Sequence, residues 1–151
     1  MSIIAHEHFH NPQGQLNCLP PPGQHEYAWW VEGSATYVGW RTALHAGLTT
    51  EAGIDREMRG WGEFDPNFGP LQTYERAIGG DAAYAVAARA VSALVQRARP
   101  RSLVAFCEAV GRGMMWRTAF EAAFGVSVAG FYRSFERQRA ARPVTPLPRK
   151  L

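Results

Sequence analysis

The residues with the types and spacing to do chemistry lie within the first ten positions of the chain. His6, Glu7 and His10, in the segment HEHFH, fit the pattern H-E-x-x-H. On a helix, side chains four residues apart lie on one face about 5–6 Å apart, so both imidazoles can bind one Zn²⁺ ion. Glu7 lies about 100° further around the helix. It is therefore placed to take a proton from a water that the metal activates.

A zinc site of this kind needs a third protein ligand, and Glu32 is the candidate. It follows the second histidine by 22 residues, within the apolar segment AWWVEGSATY. A carboxylate in such surroundings is costly to bury without a partner. An exposed helix carboxylate or a salt bridge would account for Glu32 without a metal. The small residues Gly33, Ser34 and Ala35 favour close packing of this helix against the helix of the H-E-x-x-H motif.

Together the two segments resemble the gluzincin metallopeptidases, in which H-E-x-x-H is followed by a helix with the pattern W-x-x-E-G-x-A-x-Y. HEHFH and WWVEGSATY match these patterns. The resemblance implies that His6, His10 and Glu32 bind one Zn²⁺ ion. It also implies that Glu7 is the general base in the hydrolysis of a peptide or protein substrate. Gln13 stands at a position that is often Gln in the peptidase-MA-like members.

Tyr84 and Thr36 extend the resemblance beyond the two motifs. DAAYAVAARAVSALV is similar to the gluzincin helix that opens with a tyrosine, with Tyr84 and Leu94 in the family spacing and Ala87 where the family has Gly. The resemblance implies that the Tyr84 hydroxyl stabilises the oxyanion of the reaction. A partly buried core tyrosine is the alternative. Thr36, four residues after Glu32, stands where some gluzincins have an acidic residue, and its hydroxyl could hydrogen-bond a ligand imidazole.

The elements that must position these residues are helices. Capping and stop signals predict helices over residues 2–10, 25–45, 82–97, 103–110, 115–125 and 128–141. Pro12 is expected to end the first of them. Residues 47–70 are expected to be irregular apart from one helical turn around Asp55 to Arg59, and to form a wall of the cleft.

The fold class expected from these features is mainly α. In the light of the resemblance, residues 1–142 would form the helical part of a gluzincin, thermolysin-like catalytic domain. Gluzincins usually place a β-sheet before the H-E-x-x-H helix. Because only five residues precede His6, that sheet is expected to be largely missing. Residues 143–151, which contain three prolines and one arginine, are expected to be a flexible tail.

Composition and charge leave two other functions open. The chain has 151 residues, a formal net charge of +3 and a pI of about 9.2, with fifteen Arg and one Lys. One alternative is a basic helical nucleic-acid-binding domain with incidental histidines, although no nucleic-acid-binding motif accompanies the charge and no such partner is expected. The other is an inactive metallopeptidase-like remnant that serves as a zinc-stabilised binding module.

Three further expectations concern the surroundings of the protein. No stretch approaches the length of about 18 apolar residues that a membrane-spanning helix needs. The chain as written has no secretory signal, which predicts a cytoplasmic location unless its N-terminus is truncated. Cys18 and Cys107 would either form one disulfide or remain free thiols. Oligomeric state and substrate specificity stay open.

Overall fold

The computed structural model describes residues 3–20, 26–62 and 68–141, which form seven α-helices and one 3₁₀ helix and contain no strand. The helices are α1 (Ile3–Gln15), α2 (Ala28–His45), α3 (Glu51–Gly60), α4 (Asp81–Ala98), α5 (Arg101–Gly111), α6 (Trp116–Phe124) and α7 (Val128–Ala140), with the 3₁₀ helix at Leu71–Tyr74. The prediction of a mainly helical chain is therefore confirmed. Within the described ranges, every helix is too short or too polar to cross a membrane.

Helix α2 lies at the centre of the fold, between α1 and α4. Its sequence dictates this position, because apolar or small residues lie on nearly all sides of it and a helix of that kind must be covered all round. Gly33 faces α4, where a Cβ would lie 2.7 Å from the backbone carbonyl of Ala87. The expectation that Gly33 packs on α1 is therefore wrong, and it is Ser34 that contacts α1, through the side chain of Gln13.

Replacing Gly33 with alanine is expected to destabilise the protein by about 1–3 kcal/mol, because the new methyl would press on the α4 backbone. The higher helix propensity of alanine offsets up to about 1 kcal/mol of the clash. Gly60→Ala is the matched control, since nothing lies within 4 Å of a Cβ built there. Urea unfolding of both variants checks this, and equal stabilities would contradict the close approach of α2 and α4.

The core on the other side of α2 is aromatic. Trp29 and Trp30 are fully buried against rings from α5, α6 and α7, including a Trp30–Phe106 pair with centroids 4.3 Å apart. The aromatic residues of α6 and α7 that recur at helical spacing are all buried, namely Trp116, Phe120, Phe124, Phe131 and Phe135. The boundary predicted between the helices over 115–125 and 128–141 is confirmed. Gly125 ends α6 in the left-handed conformation, and Ser127 caps α7 because its Oγ accepts a hydrogen bond from the Gly130 N–H.

Helix α1 does not end before Pro12, as the sequence predicted, but continues to Gln15 with the proline inside it. Proline removes one backbone hydrogen bond from a helix and disfavours helical geometry in the residue before it. Here the helix continues because the carbonyl of Pro12 accepts from Leu16 N–H and because the buried side chain of Gln13 is bonded to α2. Tertiary contacts have overridden the local signal.

Other boundaries also differ from the predictions. The predicted helical turn around 55–59 is part of the ten-residue helix α3, which begins after Thr50, whose side chain accepts from Gly53 N–H. Ser102 does not cap α5, because Pro100 precedes that helix and the Ser102 hydroxyl instead donates to the carbonyl of Ala98. Helix α2 begins at Ala28, three residues later than predicted. The expected tail at 143–151 and the expected cleft-wall residue Phe64 lie outside the described residues.

A disulfide joins Cys18 to Cys107, which decides the question that the sequence left open. Both residues are buried, and the carbonyl of Cys18 accepts a hydrogen bond from the Tyr27 hydroxyl at 2.9 Å. Cys18 lies three residues after the end of α1, and Cys107 lies on α5. The bridge therefore fixes the end of the helix that carries the histidines to the far side of the core.

Candidate metal centre

Three predicted metal ligands meet between α1 and α2. Nε2 of His6 lies 3.3 Å from Nε2 of His10 and 3.3 Å from Oε2 of Glu32, and the distance from His10 Nε2 to the same oxygen is 3.6 Å. In a tetrahedron with ligands at about 2.0–2.2 Å from the metal, neighbouring ligand atoms lie about 3.3–3.6 Å apart. The three donor atoms thus form a triangle of the size that a zinc ion requires, and they leave the fourth position open. This triangle, built from His6, His10 and Glu32, is called the His–His–Glu triangle below.

The other ring nitrogen of each histidine is held by a polar side chain. Nδ1 of His10 lies 2.6 Å from Oε1 of Gln13. The amide of Gln13 is oriented because its Nε2 donates to the carbonyl of Val31 at 3.1 Å and to Ser34 Oγ at 2.9 Å. Oε1 can therefore only accept, so Nδ1 of His10 carries the proton and the lone pair of Nε2 is directed into the triangle.

His6 is held in the same way from α2. Its Nδ1 lies 3.2 Å from the hydroxyl of Thr36, one helical turn after Glu32. Both His6 and Thr36 are buried, so this contact is shielded from water. Side chains that fix the orientation of a metal-binding imidazole typically contribute about 10- to 100-fold to metal affinity. Thr36 thus contacts the imidazole of His6, which is one of the three predicted ligands.

Gln13→Ala is expected to weaken zinc binding by about 10- to 100-fold, because His10 would lose the acceptor that fixes its ring. Calorimetric titration of the metal-free protein measures this. Gln15→Ala is the matched control, since Gln15 is exposed at the end of the same helix. Unchanged affinity in the Gln13 variant would show that the contact does not orient the ligand.

Glu32 and His10 shift each other's pKa. Burial raises the pKa of the Glu32 carboxyl, but hydrogen bonds from His10 and His6 outweigh it and lower the pKa to about 2. The hydrogen bond to Glu32 raises the pKa of His10 above its ordinary value of 6.5, against the opposing effect of burial. Without a metal, the carboxylate is therefore ionised at any physiological pH, and His10 keeps its proton to a higher pH than an ordinary histidine.

Zinc affinity is expected to fall as the pH drops through the raised pKa of His10, by about tenfold per pH unit, because the metal must displace that proton. The stability of the metal-free protein is expected to change in the opposite direction. The interaction of protonated His10 with Glu32 stabilises the fold below pH 6.5 and is lost as the pH rises through the raised pKa. Melting curves from pH 5.5 to 8.5, with and without zinc, check both signs.

His8→Ala is the control for this pH dependence. His8 lies on the same helix but is exposed, so its removal is expected to leave both slopes unchanged. If the melting temperature changes with pH in the same way with and without zinc, the assignment of His10 as a ligand is contradicted.

Glu7 and Tyr84, the two predicted catalytic residues, lie on the wall of a cleft beside the triangle. Glu7 is exposed on α1 and Tyr84 is half-buried on α4, and both line a cleft of about 340 Å³ together with His6 and Trp61. The ring centroids of Tyr84 and His6 are 6.1 Å apart. Burial raises the pKa of Tyr84, with Glu32 and Glu7 adding to it. The hydroxyl is therefore protonated at neutral pH and able to donate a hydrogen bond.

Tyr84 also lines a second cleft, of about 410 Å³, that contains Glu32. The two clefts are named the Glu7 cleft and the Arg76 cleft after the charged residues that line them. Trp61, from the segment expected to form a cleft wall, lines the Glu7 cleft. Arg76 lines the other. It could not be predicted from the sequence, because a single arginine between two helices has no distinguishing pattern.

The sequence-predicted residues divide into those within the triangle and those beside it. The donor atoms of His6, His10 and Glu32 lie within 4.8 Å of one another and Thr36 contacts His6, whereas Glu7 and Tyr84 line the clefts. The resemblance to the gluzincins rests on these residues and their motifs alone, because comparisons with protein-family models, with curated proteins and with solved structures gave no match to this chain.

Proposed function

We propose that this chain is a zinc-dependent metallopeptidase of the gluzincin type, with a thermolysin-like helical catalytic core. The observation that carries the proposal is the His–His–Glu triangle, whose 3.3–3.6 Å edges suit a tetrahedral zinc ion and whose imidazoles are both held at Nδ1. Its substrate would be a peptide or a protein. The cleft residues on either side of the triangle supply the remaining groups that hydrolysis needs.

A zinc ion bound by His6, His10 and Glu32 would act as a Lewis acid that lowers the pKa of water and polarises the scissile carbonyl. Glu7 then takes the proton of the attacking water and later delivers it to the leaving amine. The Tyr84 hydroxyl donates a hydrogen bond to the carbonyl oxygen as negative charge develops on it. A C–O bond forms, the C–N bond breaks, and one water is consumed per bond cleaved.

Removal and return of the metal test the proposal. Wild-type protein is incubated with a pool of unmodified peptides, and mass spectrometry detects new termini. Hydrolysis is expected with zinc, is lost after chelation, and returns when one equivalent of zinc is added to the metal-free protein. If the zinc-loaded protein cleaves nothing in a diverse pool, the chain is instead a zinc-stabilised remnant.

A further inference from the structure

The Arg76 cleft brings a cationic side chain next to a metal ligand and a proposed catalytic tyrosine. Arg76 lines it together with Glu32, Tyr84 and apolar side chains that include Val31 and Ile78. Arg76 is exposed, and within the described part of the chain no carboxylate forms an ion pair with it. Other arginines are engaged with the protein itself, as Arg117 is with Glu75. The charge of Arg76 is thus free for a ligand in the cleft.

The backbone that presents Arg76 is fixed by the residue before it. The carbonyl of Glu75 accepts from the Ala28 N–H at 2.8 Å, at the start of α2. The Glu75 carboxylate accepts from the Tyr132 hydroxyl at 2.9 Å and from the Arg117 guanidinium at 3.0 and 3.1 Å. Glu75 is therefore anchored to α2, α6 and α7 at once. Arg76 extends from a held position rather than from a free loop.

The two clefts differ in charge. The Glu7 cleft is lined by three carboxylates, those of Glu7, Glu57 and Asp81. In the Arg76 cleft the acidic residue is Glu32, which belongs to the His–His–Glu triangle, and Arg76 adds a positive charge. An anionic group on a bound peptide would be repelled from the first cleft and attracted to the second. A substrate that reaches across Tyr84 would therefore be oriented by its charge.

We propose that Arg76 determines substrate specificity by binding a carboxylate that lies close to the scissile peptide bond. The carboxylate belongs either to the C-terminus of the substrate or to an Asp or Glu side chain. This inference rests on the proposed peptidase function. A guanidinium binds either kind of carboxylate through paired N–H groups, and lysine does not reproduce that geometry.

The test compares kcat and KM of the wild type, Arg76→Gln and Arg76→Lys on matched peptides. The peptides carry a free C-terminus or a C-terminal amide, and Glu or Gln beside the cleaved bond. Arg76→Gln is expected to lower kcat/KM about 10- to 100-fold, mainly through KM, for whichever peptide carries the recognised carboxylate. Arg76→Lys should lower kcat/KM for this peptide less than Arg76→Gln does, but still below the wild-type value. Neither substitution should change kcat/KM for the neutral peptides. Arg133→Gln, exposed on α7 and outside both clefts, is the control.

A binding experiment separates failure of this inference from failure of the proposed function. In the zinc-loaded Glu7→Gln protein, the further substitution Arg76→Gln is expected to raise the Kd of the acidic peptide that binds most tightly about 10- to 100-fold. If the wild type cleaves nothing, the peptidase function fails and this Kd still decides the role of Arg76. If acidic and neutral peptides bind and react alike in the presence and absence of Arg76, the inference is overturned while the peptidase function stands.

Discussion

Glu7→Gln is expected to bind zinc as the wild type does while losing about 10²- to 10⁴-fold of kcat for peptide hydrolysis. Glu7 lies outside the His–His–Glu triangle and is exposed to the cleft. Its amide analogue therefore leaves the three ligand atoms in place but cannot accept a proton from water. The measurements are kcat at saturating peptide and the zinc content of the same preparation.

Glu121→Gln is the matched control for this variant, because Glu121 is exposed on α6 and lines neither cleft. It is expected to leave zinc content and kcat unchanged. A Glu7→Gln protein that remains fully active would place the general base elsewhere. One that loses zinc would show that Glu7 binds the metal, which the proposed mechanism does not allow.

Replacing both Cys18 and Cys107 with serine is expected to lower the free energy of unfolding by about 4–5 kcal/mol. The two cysteines are 89 residues apart in sequence, so the bridge removes much of the freedom of the unfolded chain. A loss of this size is a large share of the stability of a typical domain. Urea unfolding of the metal-free proteins measures it, since bound zinc would add its own stabilisation.

Thiol titration of the denatured wild-type protein accompanies that experiment. No free thiol is expected, because the chain contains two cysteines and they are joined. Two free thiols, or a double variant as stable as the wild type, would contradict the bridge. The single variants Cys18→Ser and Cys107→Ser are expected to match the double variant, because either one opens the same loop.

The proximity of the three candidate ligands could be predicted from the sequence, because their spacing along the chain follows local rules. His6 and His10 are four residues apart, and this spacing alone brings their rings together on a helix. Glu32 was assigned from its motif, and its helix indeed lies against α1. Thr36 follows from Glu32 by the same helical period. To bring these residues together, the two helices need only one tertiary contact, the packing of α1 on α2.

What the sequence did not predict depends on contacts between distant segments. Pro12 signals the end of a helix, but Gln13 and its hydrogen bonds to α2 keep that helix continuous. The pairing of Cys18 with Cys107 needed the placement of α5. Arg76 is brought into one cleft with Glu32 by the fold, not by any local motif. No local pattern encodes such placements, because they arise from the packing of the whole core.

The measurement that tests the central claim most directly is a calorimetric titration, at pH 8, of the metal-free protein with zinc, which gives the number of ions bound per chain. If His6, His10 and Glu32 bind zinc, about one ion should bind per chain, and the Glu32→Gln variant should bind it far more weakly. Binding of less than about 0.2 equivalents by the folded wild type, with no rise in Tm on adding zinc, would contradict the claim.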